Sequence, residues 1–456
     1  MRTSFIYGYM NKMMTNWRRL YARTIDENLL RDCRAIVAYN EVIDKICELQ
    51  NRDIFALRFI GMKKPSRAIL ESIEEFTFAL DNSLKNGVAC ELHACDELFE
   101  ILERRFSYHP RIGGQAAIIG SLISRFSGRP AIIHPDRMGI DLLSFLDKEE
   151  LLVPIGADGK IRLAKPHKKC CLSKSETHLV FEFSAGQPAI SSGICPRDNR
   201  LIIDPISAIR FDPDFEEALP TISRMSDVLI IAGIDQMGKE YRSSFDRIIS
   251  HIEIAKRSNP AILTHLEITS MQSREKIRAV LEEILPIFDS IGLNEVELRS
   301  LISTMNKCRK FSKEHLSPEE QIDAANILSD LGVKRIHIHT LGYHLRIGKT
   351  NSIASTIKSL IFSSAIGCTA AMIGKIPYPK DIKNLLLSPS MIGLEVVNLL
   401  KSRLLHSPIV DPLIDGKAEG IICVPAPIIE SPRLTVGLGD CISGACVAAE
   451  KMQGAI

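Results

Sequence analysis

The run Thr435-Val436-Gly437-Leu438-Gly439-Asp440 has the residue types and spacing for proton transfer beside a bound anion. Glycines at a loop-to-helix junction let backbone N–H groups converge on phosphate, and the start of the helix adds a partial positive charge. An Asp placed there can take the proton of a hydroxyl that attacks phosphorus. The same residues also describe a tight turn capped by an Asp. Two acidic motifs bear on the choice, His265-Leu266-Glu267 and Asn294-Glu295-Val296-Glu297. Each falls at or just past the end of an expected strand. Glu267 and Glu297 supply hard oxygen donors of the kind Mg2+ takes one or two at a time, keeping several waters.

These residues need elements to bring them together. Short apolar runs at 35–39, 130–134, 227–232, 261–265, 289–293, 335–340 and 421–425 read as strands. Amphipathic segments near 244–257, 271–286, 318–331, 352–375 and 388–404 read as helices between them. Apolar strands alternating with helices predict a mostly parallel, doubly wound α/β sheet covered on both faces. Ligands of such sheets bind outside the carboxyl ends of the strands, where Glu267, Glu297 and Asp440 would meet.

Two stretches, about 45–112 and 150–202, break the alternation and predict a smaller α/β lid on a single unit spanning 1–456. The first holds a helix with Ser66 as its expected N-cap, an apolar stripe through Ile69, Leu70, Ile73, Phe76 and Leu80, and Gly87 as its stop. The second carries a Gly/Lys-rich loop and the alternating run 178–183, which reads as a half-exposed strand.

Composition narrows the function classes. With 57 Lys+Arg against 55 Asp+Glu the net charge is +2, which argues against a polybasic nucleic-acid or membrane surface. The 12 Cys contain no CxxC spacing, and His167 with Cys170 and Cys171 has no second ligand pair, so zinc and thioredoxin-type motifs are not expected. The uncharged run between Lys358 and Lys375 is broken by Ser, Gly and Thr and reads as a buried helix. The first residues lack a signal-peptide core, and a cytoplasmic protein is expected. Lys160, Arg162, Lys165, Lys168, Lys169 and Lys174 read as a solvated basic loop, and His337 and His339 as satisfied core or sheet-end histidines on one strand face.

Taken together in order, seven segments resemble the ADP-dependent sugar kinases, the glucokinase and phosphofructokinase family within the ribokinase-like superfamily. They are Arg111-Ile112-Gly113-Gly114-Gln115, 178–183, Pro196-Arg197-Asp198-Asn199-Arg200, His265-Leu266-Glu267, 290–298, 335–343 and 435–443. The resemblance implies a ribokinase-like core with a lid. It implies transfer of the β-phosphoryl of ADP to glucose or fructose 6-phosphate in glycolysis, giving AMP. Asp440 would be the general base, and the amides of Gly437, Leu438 and Gly439 the anion hole. Glu267 and Glu297 would hold Mg2+ through water, and Asn294 would belong to the nucleotide site.

On the sugar side the resemblance implies contacts from Asp44, Gly113, Gly114, Gln115 and His178. The family's Asn-x-Asn-x-Asp pattern reads Asn40-Glu41-Val42-Ile43-Asp44 here, with an apolar residue and an added charge. Glu91 matches a Glu that favours glucose in the family. Arg197 and Arg200 offer the forked donors that suit a 6-phosphate. Both together imply a bifunctional kinase. An ATP-dependent kinase of the same fold and a non-catalytic sugar- or nucleotide-binding relative are the alternatives, and the sequence leaves the oligomeric state open.

Overall fold

The computed structural model describes residues 2–66, 69–169, 175–205, 208–237, 241–271, 273–305, 311, 315–383, 385–403 and 418–456. In chain order its strands are β1 (Ala35–Ala38), β2 (Val42–Glu48), β3 (Ile69–Leu70), β4 (Cys90–Ala94), β5 (His109–Gly113), β6 (Ala131–Ile133), β7 (Leu151–Ala157) and β8 (Lys160–Ala164). They continue as β9 (Thr177–Phe183), β10 (Asn199–Pro205), β11 (Val228–Ile231), β12 (Leu263–Glu267), β13 (Ser290–Leu293), β14 (Arg335–His339), β15 (Tyr343–Thr350) and β16 (Ala418–Pro425).

Among the described residues these form two sheets. The larger runs β16-β15-β14-β13-β12-β11-β1-β6-β7-β8, parallel from β14 through β7 and antiparallel at both edges. Its inner strands β1, β6, β11 and β13 are buried at every position, as continuous apolar runs require when helices cover both faces. Helices Gln115–Ser127, Ile353–Ile373 and Leu438–Met452 line one face with an apolar layer containing Ile119, Phe362 and Ala445. Helices Pro213–Arg224 and Tyr241–Ser258 line the other, through Phe215, Phe245 and Ile248. The Ile353–Ile373 helix is long and apolar enough to cross a bilayer, but most of it is buried against the sheet and the Leu438–Met452 helix.

The smaller sheet runs β3-β4-β10-β9-β2-β5. Its strands alternate, and the two faces differ completely. Leu179, Phe181, Leu201 and Ile203 face a separate apolar core with Phe76 and Leu80 of the helix Ile73–Asn86. The opposite face carries Arg111, Asp44, His178, Glu182, Arg200, Asp204, Glu91 and His93, brought side by side by the register of β5, β2, β9, β10 and β4.

Three expectations are corrected. The helix in the first irregular stretch starts at Ile73 and is capped by Ser72, whose side chain accepts from Glu75 N–H, because Ile69 and Leu70 are drawn into β3; Gly87 ends it at φ 58° as expected. The 150–202 stretch is divided: β7 and β8 extend the larger sheet beside β6, and the smaller sheet begins at Thr177. The 271–286 helix breaks into an α segment from Arg274, a π turn and a 3₁₀ turn over Leu285–Ile287, where Pro286 has no N–H for the backbone ladder. The pair Cys170-Cys171 and Lys174 lie outside the described residues.

Candidate active site

The Leu438–Met452 helix starts where the two sheets face each other. Gly437 caps it with φ 76°, a left-handed backbone in which a Cβ would also fall 2.7 Å from Ile118. At Gly439 a Cβ would stand 2.9 Å from His339 Cε1. The loop therefore lies close over the sheet edge, with its first-turn N–H groups free of intrahelical acceptors. Asp440 follows in the first turn. Gln115 Nε2 donates to its Oδ1 at 2.9 Å, and Gln115 Oε1 accepts from Gly233 N–H at 2.8 Å. One amide thus ties the carboxylate to the carboxyl end of β11. Burial, then the negative charge of Glu267, pushes Asp440 up to about 7 against the lowering bond from Gln115.

Glu267 ends β12 and is almost wholly buried. His339 Nε2 lies 3.2 Å from its Oε1 and His265 Nε2 3.4 Å from its Oε2. Burial opposes its charge, but these two imidazoles outweigh that and hold it at about 2. His265 is itself fixed by Ser290 Oγ at 2.8 Å and Ser443 Oγ at 3.2 Å. Gly292 is needed beside them, since a Cβ there would stand 1.9 Å from Ser443 Oγ and 2.2 Å from Glu267 Oε2. Glu297 accepts from Asn294 N–H at 2.8 Å, while Asn294 Oδ1 accepts from Val296 and Glu297 N–H, a reciprocal cap on the helix Glu295–Thr304. Burial, with Glu267 and Asp440 nearby, pushes Glu297 up to about 8.

Glu267 raises the proton affinity of both Asp440 and Glu297, a setting that a divalent cation would relieve. Among the described residues no three His, Cys, Asp or Glu side chains converge to enclose an ion alone. Glu267 and Glu297 offer the one or two carboxylate donors that a hard cation such as Mg2+ takes beside water and phosphate.

The polar face of the smaller sheet lies opposite. Asp44, nearly inaccessible, sits between Arg111 on β5 (3.9 Å) and His178 on β9 (3.8 Å). Burial raises its proton affinity, and Arg111 opposes the rise. Gly113 is obligatory here, because a Cβ would fall 2.2 Å from Asp44 Oδ1. Gly114, at φ 77°, brings its backbone against Asn40 O, where a Cβ would be at 2.4 Å. Val42 is buried at the head of β2 opposite Gly113. Arg200 is held between Glu91, Glu182 and Asp440; burial works against its charge and these carboxylates support it. Its Nε, like Arg111 Nη2, is buried without a partner. Arg197 is engaged elsewhere: it is exposed, and its Nε donates to Gly87 O at 2.6 Å, tying a loop to the end of the Ile73–Asn86 helix.

Several residues went unmarked in the sequence. Gln236, after β11, reaches His178 Nε2 and Asp204 Oδ2, each at 3.4 Å. Thr435 Oγ1 donates to Glu182 Oε1 at 2.8 Å, from the glycine loop to the smaller sheet. His339, read as a core or sheet-end residue, is buried but turns its ring to Glu267 beneath Gly439. Its place at the end of a strand next to the acidic motifs is the signal that could have found it.

Comparison with known proteins gives consistent results. The family model described as the ADP-specific phosphofructokinase/glucokinase conserved region matches residues 33–449. An ADP-dependent glucose/glucosamine kinase of Pyrococcus abyssi is 29% identical over 462 residues, covering 95% of this chain and 99% of that protein. An ADP-specific phosphofructokinase of Methanosarcina acetivorans is 28% identical, covering 90% and 92%. Among solved structures, an ADP-dependent kinase in complex with fructose-6-phosphate and ADPβS superposes with a TM-score of 0.80 at 24% identity, covering 97% of this chain and 98% of that one.

Proposed function

Since the chain belongs to the ADP-specific phosphofructokinase/glucokinase family, we propose that its cleft transfers the β-phosphoryl group of ADP to a hexose, glucose or fructose 6-phosphate, and releases AMP. The observation that carries the reading for this chain is Asp440, held by Gln115 in the first turn of a glycine-led helix and facing the polar sheet. The acceptor hydroxyl would lie between Asp440 and the Asp44–His178 pair. Asp440 takes its proton as the bond to phosphorus forms. The N–H groups of Gly437, Leu438 and Gly439 receive the transferred oxygens, and Arg200 adds a buried cation beside them. Glu267 and Glu297 would hold Mg2+ through water, with Asn294 setting the orientation of Glu297. When bound, the metal would offset charge on the phosphate oxygens. The facing sheets exclude water, the competing acceptor. The same reading places the enzyme in the cytoplasm, in glycolysis.

The test is AMP release from ADP and Mg2+ with each sugar in turn. AMP should form only when a hexose is present. Turnover with ATP alone would overturn the donor assignment. Calorimetric sugar binding with no AMP formed would overturn catalysis.

A further inference from the structure

One end of the cleft holds more negative charge than phosphoryl transfer uses. Glu91 on β4, Asp204 on β10 and Asp235, which follows β11, gather there, with Glu297 nearby. Asp204 is fully buried on the polar face of the smaller sheet. Its Oδ2 meets His93 Nδ1 at 3.0 Å and Gln236 Nε2 at 3.4 Å, while its Oδ1 is buried without a partner. Asp235, 8% exposed, approaches from the larger sheet. Burial and Asp204 raise its proton affinity, and burial, Asp204 and Asp235 raise that of Glu91. Arg200, His93 and Lys276, whose Nζ donates to Asp235 O at 3.1 Å, answer this charge only in part.

We infer that Asp204 and Asp235, acting with Glu91, set acceptor specificity, receiving hydroxyl groups of an unphosphorylated hexose and excluding a sugar phosphate. The inference rests on the kinase reading above and concerns the same cleft. A carboxylate oxygen accepts hydrogen bonds, so the open, buried Oδ1 of Asp204 leaves room for a donor. A sugar hydroxyl is one. A phosphate dianion brings acceptors and further negative charge, and leaves that oxygen both unpaired and repelled. Gln236 sharpens the device, because its amide joins Asp204 to His178, the residue beside Asp44. A sugar seated on Asp44 is therefore within reach of the acidic end.

The test compares kcat/KM for glucose and fructose 6-phosphate in the wild type, Asp204→Asn and Asp235→Asn. Both substitutions keep side-chain volume and remove one charge, and melting curves confirm folding. The wild type should favour glucose by about 100-fold, within the range that hydrogen-bond discrimination reaches. Each variant should lower that ratio roughly tenfold, losing on glucose and gaining on fructose 6-phosphate. A role limited to holding the sheets together would slow both sugars equally. An unchanged ratio in folded, active variants, or a wild type that prefers fructose 6-phosphate, overturns the specificity assignment alone. No AMP from either sugar overturns the kinase reading beneath it.

Discussion

The two ends of the Leu438–Met452 helix handle buried charge in opposite ways. Asp440 and Glu450 are ten residues apart, about 15 Å along the axis. At the Glu450 end one carboxylate meets two guanidinium groups: Arg335 Nε and Nη2 donate to it at 2.9 Å each, and Arg346 Nε lies at 3.5 Å. Arg335 also donates to Ser290 Oγ and Cys446 Sγ. Burial disfavours the Glu450 charge, yet Arg335 and Arg346 keep its pKa below the usual carboxylate value. At the Asp440 end three carboxylates share two imidazoles, His265 and His339, and one Gln amide, and Asp440 and Glu297 rise to about 7 and about 8. In the first cluster the carboxylate is matched by cations of the protein itself. The second leaves Asp440 and Glu297 with raised proton affinity, and perturbed groups of that kind gather where a protein does chemistry.

The comparison can be broken most forcefully at its two poles. Asp440→Asn keeps the Gln115 geometry but removes the base, and should lower turnover by about 10²–10⁴-fold while ADP binding by calorimetry persists. Near wild-type AMP release would end the assignment. Glu450→Gln should do the reverse. It strands Arg335 in the core and should cost about 3–5 kcal/mol of stability, seen in denaturant melts, with little change in kcat of the folded fraction. If turnover fell further than the folded fraction does, the helix would not separate structural from catalytic charge.

Gln115→Ala sharpens the catalytic pole. The base works only when ionised, so kcat/KM should rise with pH through about 7 and level off above it. The Gln115 hydrogen bond lowers the pKa of Asp440, so its loss should move the midpoint to higher pH and reduce the plateau about tenfold. A midpoint that stays in place would mean that Gln115 only packs.

How far these clusters were readable depends on what makes them local. The strands of the larger sheet and the helices beside it were legible, since buried parallel strands are continuous apolar runs and each helix has a stripe and caps. The Gly437–Asp440 turn was legible for the same reason: its pattern is written within six residues. The smaller sheet was mostly missed. Arg111, Asp44, His178, Arg200 and Glu91 meet only through the register of five strands dispersed between Val42 and Pro205, with helices and strands of the larger sheet in between. No local pattern encodes that register. The same holds for Arg335 and Glu450, which are 115 positions apart.

The smallest effect tests whether the two sheets meet through a defined contact. Thr435 stands in the glycine loop of the larger sheet's helix and Glu182 on the polar face of the smaller one, and their hydrogen bond is a direct polar tie between anion hole and sugar face. Thr435→Val keeps the branched shape and removes the hydroxyl. A neutral donor to a carboxylate contributes about 1.5–3 kcal/mol at most, and competing water reduces it in a partly exposed position. Binding of the sugar is when that tie would count, so KM for the hexose should rise a few-fold, about 2–10 times by the same energy, with kcat changed less. A loss confined to kcat would place Thr435 with the anion hole instead. Glu182→Gln should then leave the defect of Thr435→Val almost unaltered when the two are combined, because a pair that acts through one bond loses it only once.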